Sequence, residues 1–156
     1  MIGRVGIVHV PYQIPGGEEA HAQSLRAVYA ALGLEPVDFF RELKARGNLS
    51  AAFSALSRGN PEEWERVLEG KQIKFLHLNN IHPHLGPAFL RWIAEKKIPA
   101  LITIHNHRFF CTNGLALYNG SECKACKTAP NLCRPIWRNC NSSLPKSLYH
   151  SLALKE

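Results

Sequence analysis

Over the first 104 residues, short apolar runs of strand character alternate with longer runs of helical periodicity, which restricts the fold more than any other feature. Residues 2–10 (IGRVGIVHV) read as a strand that stops at Pro11. Pro15, Gly16 and Gly17 form a turn, and Glu18 and Glu19 suit the first turn of a helix. Ala22, Leu25, Val28, Tyr29 and Leu32 then recur at helical spacing until Gly33 stops the run. A short second strand is expected at 37–40. A two-piece helical stretch follows at 48–70, its second piece opened by Pro61. A third strand is expected at 72–78 and a helix at 85–96, with Leu85, Ala88, Phe89, Trp92 and Ile93 on one face. A fourth apolar strand covers 99–104, and a last helix begins near Leu144.

This pattern predicts an α/β domain with a Rossmann-like parallel sheet flanked by helices, in which ligands bind beyond the carboxyl ends of the strands. Polar clusters fall at those ends. HVPYQIPGGEE follows the first strand, HLNNIHPH the third and IHNHRFFC the fourth. Three such clusters on one sheet edge predict a site.

Gly16-Gly17-Glu18 lets backbone N–H groups at a helix start approach an anion, or is simply a tight turn. It lacks the GxGxxG pattern of a dinucleotide site. His77, Asn79, Asn80, His82 and His84 offer hydrogen bonds to a hydroxyl-rich ligand, or cap neighbouring backbone. His105 can bond a sugar hydroxyl or serve as acid or base, and Arg108 can pair with a phosphate or carboxylate.

The sequence has 156 residues, a formal net charge of +7 and five cysteines, all within residues 111–140. Cys123 and Cys126 form a CxxC turn, and Cys111 and Cys140 are the preferred partners for a structural zinc, with Cys133 spare. Reduced structural thiols and adventitious disulfides are the competing readings. The odd number argues against a closed disulfide framework. No run reaches the ~18 apolar residues of a membrane span. The start is too short and too soon interrupted by Pro11 for a signal peptide, so a cytoplasmic location is expected.

YQIPGGEE, FLHLNNIHPHLGP, and ITIHNHRFFCTNGLALYNGSECKAC with its later RNC resemble the N-terminal domain of glycosyltransferase family 4, the retaining GT-B sugar transferases. The resemblance covers nearly the whole chain. It implies one Rossmann-like domain over 1–156 with a Cys-rich insertion at about 111–140. It also implies that the nucleotide-sugar domain with its Glu-x7-Glu motif lies outside this sequence, so the isolated chain would be inactive. Gly16, Gly17 and Glu18 would lie near donor phosphate and sugar. His105 would take the catalytic position at the cleft, and Asn80, His82, Asn106 and Arg108 would be acceptor or cleft contacts. The resemblance implies no required cofactor; the structural zinc is raised by the cysteine spacing alone. The implied partners are a nucleotide-sugar and a sugar or lipid-linked acceptor.

Lys124, Lys127, Arg134, Arg138 and Lys146, with Trp137 among them, form a basic loop suited to an anionic membrane, peripheral at its inner surface, to solvent, or to contact with the second domain of the family. Two alternatives stand beside the sugar-transfer reading. One is a non-catalytic partner subunit needing a separately encoded donor domain. The other is a basic zinc knuckle on nucleic acid, which lacks a recognition helix or an aromatic RNA-reading strand.

Overall fold

Alternation of side chains along each strand decides which layer each face of the sheet meets. In the computed structural model, which describes residues 3–11, 15–39, 59–69, 71–81, 85–127 and 133–153, the chain divides into two compact units, Met1–His105 and Asn106–Glu156. The first unit holds β1 (Gly3–His9), α1 (Gly17–Ala31), β2 (Leu34–Asp38), α2 (Pro61–Leu68), β3 (Ile73–Asn80), α3 (Gly86–Glu95) and β4 (Ala100–Ile102). Its strands form one four-stranded parallel sheet in the order β2-β1-β3-β4. This is the Rossmann-like α/β arrangement that the strand–helix alternation predicts.

Val8 and Val10 on one face join Leu76, Leu78, Phe89, Trp64 and Trp92 in the larger hydrophobic cluster, beneath α2 and α3. Val5 and Ile7, on the other face, pack with Tyr29, Leu25 and Phe75 against α1. The apolar face expected for α3 is buried at every position: Leu85, Ala88, Phe89, Trp92 and Ile93. Phe89 is fully enclosed, with ring centroids 5.0 Å from Trp64, 5.4 Å from Trp92 and 5.4 Å from Phe39. Such aromatic pairs add ~0.5–1.5 kcal/mol beyond their burial.

Several features differ from the sequence reading, among them the fourth strand, which covers Ala100–Ile102 rather than 99–104. The second strand lies at Leu34–Asp38 rather than 37–40, because Gly33, at φ +72°, turns the chain at once and Leu34 pairs with Gly3. Pro36 is tolerated there because β2 is a sheet edge. The third strand continues to Asn80, two residues past the apolar run, since its polar end is paired with β1. On α1, Val28 and Leu32 are exposed, and the buried side instead carries Ala22 and Tyr29, with His21 and Leu25 partly buried. The first piece of the expected 48–70 helix lies outside the described residues; Pro61 does open the second, whose N-cap Asn60 accepts from Glu63 N–H.

The second unit holds the hairpin β5 (Leu117–Tyr118) and β6 (Ser121–Glu122), and the helices α4 (Cys133–Trp137) and α5 (Leu144–Ala153). Asn119 and Gly120, both at positive φ, make the two-residue turn that matches strand twist. Arg138 lies over the Tyr118 ring, 4.7 Å from its centroid. Among the described residues no helix is long and apolar enough to cross a membrane.

Candidate functional site

The period of two that buries Phe75 against α1 also carries His77 and Asn79 to that face, and on β1 it carries His9. The face thus grades from apolar to polar toward the carboxyl edge. Strand order reverses between β1 and β3, the place where α/β sheets bind ligands.

Asn79 is the hub. Its Oδ1 accepts from His21 Nδ1 at 2.6 Å and from His105 Nε2 at 2.8 Å. Its Nδ2 donates to His9 Nδ1 at 3.0 Å and to the Glu18 carbonyl at 3.1 Å. An amide oxygen only accepts and an amide nitrogen only donates, so the hub fixes three tautomers. Neutral His105 and His21 carry their protons on the bonded nitrogens, leaving His105 Nδ1 and His21 Nε2 as bare lone pairs. Neutral His9 carries its proton on Nε2, which is 3.7 Å from Glu19 Oε1 and makes no hydrogen bond among the described residues. The His21 and His105 rings meet edge to face at 4.7 Å between centroids.

Behind the hub, His77 bridges Tyr29 and Thr103, with Nδ1 2.6 Å from the Tyr29 hydroxyl and Nε2 2.7 Å from Thr103 Oγ1. Burial pushes His77 below the usual histidine value, and His21 and His105 push it the same way. Burial also lowers His9, against the opposing pull of Glu19 and Glu18. His9 and His77 are therefore neutral imidazoles at neutral pH.

His105 is exposed just past β4, its ring anchored and its Nδ1 open. Gly16 is the N-cap of α1 and Gly17 its first residue; Gly16 N–H donates to Glu19 Oε2 at 2.6 Å. Among the described residues, a Cβ on Gly17 would meet nothing within 4 Å, and one on Gly16 only Glu19 Oε2 at 3.7 Å. Neither packing nor a left-handed backbone therefore requires glycine at these two positions. Asn80 faces the other way, its Nδ2 donating to the Val10 carbonyl at 2.8 Å and its carbonyl accepting from Val10 N–H. His82 lies outside the described residues.

Asn106 and Arg108 belong to the second unit. There Asn106 Oδ1 accepts from Arg108 N–H at 3.0 Å, and Arg108 Nη1 donates to the Thr112 carbonyl at 3.3 Å. Cys111, Cys123, Cys126 and Cys140 line one small cavity, and Cys133 stands outside it. Burial, reinforced by the neighbouring thiols, pushes Cys126 and Cys140 above the usual thiol value. Among the described residues no three His, Cys, Asp or Glu side chains are already arranged to hold a metal ion.

Sequence reasoning missed His9, His21, Tyr29 and Thr103 as members of the network, and it treated Asn79 as one polar residue among several. Strand period links His9 to His77 and Asn79, while i+4 spacing places His21 above Leu25 and Tyr29. These periods place the residues on their faces, while the pairing across strands comes from the β1–β3 register. No protein-family model, curated protein or solved structure matches the chain.

Proposed function

We propose that this chain is the acceptor-side half of a retaining glycosyltransferase, which moves a sugar from a nucleotide-sugar donor to a hydroxyl acceptor. One observation carries the reading: through Asn79, His105 is tied to the start of α1, at the carboxyl edge where strand order reverses. In this reading the open Nδ1 of His105 accepts a hydrogen bond from a hydroxyl of the transferred sugar. Gly16 and Gly17 leave the start of α1 clear for a donor phosphate, which takes the Gly16 N–H in place of the Glu19 carboxylate. His21 and His9 hold the hub in register rather than touching the reacting atoms.

Trp137, 87% exposed between Arg134 and Arg138, supports a peripheral seat on an anionic membrane carrying a lipid-linked acceptor. The test is titration of the chain with UDP-, GDP- and dTDP-sugars and with free saccharides, following the histidine ring resonances by NMR. His105 and His21 signals shift with at least one of these ligands, and the shift is lost in H105A. No perturbation by any of them at millimolar concentration would sink the reading.

A further inference from the structure

Among its described residues, the second unit, Asn106–Glu156, has almost no apolar interior. Apart from Gly114, its buried described residues are Thr112, Pro135, Ser147 and Ser151, whereas Phe109, Leu115, Trp137 and Leu148 are exposed. Every buried member of the two hydrophobic clusters comes from the first unit. Ala116 and Ser142 also sit at positive φ, which disfavours the ordered state further. A unit this small with so little apolar burial needs a cross-link of another kind.

Thiols occupy its middle. Cys111, the pair Cys123 and Cys126, and Cys140 come from three separate stretches and line one cavity of about 20 Å³, together with Arg134 and Arg138. A space of that size admits one water- or ion-sized guest and excludes an organic ligand. None of the five cysteines is in a disulfide, and the exposed Cys133 is not part of the lining. Arg138 Nη1 donates to Cys123 Sγ at 3.7 Å, an N–H···S contact of the kind that surrounds metal-bound thiolates.

We propose that Cys111, Cys123, Cys126 and Cys140 close on a single zinc ion as a structural four-thiolate centre, with Arg138 and Arg134 as its outer shell. The four thiols surround the cavity without converging on one point, so binding contracts them to about 2.3 Å from the ion. Each releases its proton to solvent as it binds. Four thiolates on a divalent cation carry a net charge of about −2, which the two guanidinium groups offset. No coordination position is left for water, so the ion braces the fold and takes no part in catalysis. The proposal is independent of the sugar-transfer reading.

The test is elemental analysis of the full chain purified in reductant, with thiols counted before and after zinc is displaced. About one zinc per chain is expected, with four thiols becoming reactive on its release. C133S keeps the metal, whereas C126S and C140S bind less than about half an equivalent. Cobalt in place of zinc gives the visible absorption of a tetrahedral thiolate site. Chelation lowers the melting temperature. If C126S and C140S do not fold, wild type and C133S still decide. Wild type isolated with less than about half an equivalent of zinc overturns the proposal, whether its thiols are free, paired in disulfides or bound to iron. Loss of zinc in C133S overturns the ligand set.

Discussion

Asn79 Oδ1 lies 2.8 Å from His105 Nε2, and because that oxygen can only accept, one amide determines which nitrogen of His105 is open to a ligand. Replacing Asn79 with Ala removes the acceptor and frees the ring. Nitrogen-15 NMR of the neutral wild type is expected to report the Nε2–H form of His105, and N79A a mixture. N79D retains an acceptor and so preserves the tautomer. In an active transferase, N79A lowers kcat by up to about 10²-fold through misplacement of the ring. An unchanged tautomer in N79A would show that the hub does not govern His105.

Acid should loosen both units. Burial lowers His9 and His77, and it pushes His150 down to about 4, with Arg108 and Lys146 acting in the same direction. The unfolded chain then takes up protons first, near the ordinary histidine value of about 6.5. Above that pH the stability contributed by these groups is constant. Below it, stability falls as the pH drops toward the folded values, about 4 for His150. The urea midpoint is expected to decline across that window, less steeply in H150Q, which cannot titrate. A flat midpoint, or a wild-type slope in H150Q, would contradict the assignment.

The larger core can be tested at one ring. Phe89 is fully enclosed and touches Phe39, Trp64 and Trp92, so F89A should cost ~3–5 kcal/mol and F89L considerably less. Equilibrium denaturation measures both. A loss under about 1 kcal/mol in F89A would mean that the aromatic cluster repacks freely.

Most of this core is legible in the sequence, for the same reason that F89A is expected to be severe. Leu85, Ala88, Phe89, Trp92 and Ile93 repeat with helical period and have only one way to be buried. The second strand departs from its expected place because Leu34-Glu35-Pro36 carries little apolar signal, and pairing with β1 decides its position. Asn79 and Asn80 are adjacent, yet alternation sends one to the hub and the other to the Val10 backbone. That divergence becomes clear only once the strand is known to run through both residues. On α1, an apolar count favours Val28 and Leu32, while the sheet-facing side includes the polar His21, whose partner Asn79 is 58 residues away in sequence. Long-range polar pairing leaves little local trace, so the cluster positions are readable and the hub is not.

Gly17 separates a role in folding from a role in binding. It begins α1, a methyl group added to it would meet no described residue within 4 Å, and it needs no left-handed backbone. G17A should therefore leave stability unchanged or raise it by ~0.4–1 kcal/mol, through a less flexible unfolded chain. The same methyl would stand where a donor phosphate approaches the helix start, so nucleotide-sugar affinity should fall by about tenfold, ~1.4 kcal/mol. Thermal unfolding and ligand titration on one sample give both numbers. Unchanged affinity with unchanged stability would remove the α1 start from the binding site and leave His105 as the group facing the ligand. The E19Q variant tests the same position from the other side. It keeps an acceptor for Gly16 N–H but removes a negative charge from the helix start, so an anionic donor should bind more tightly.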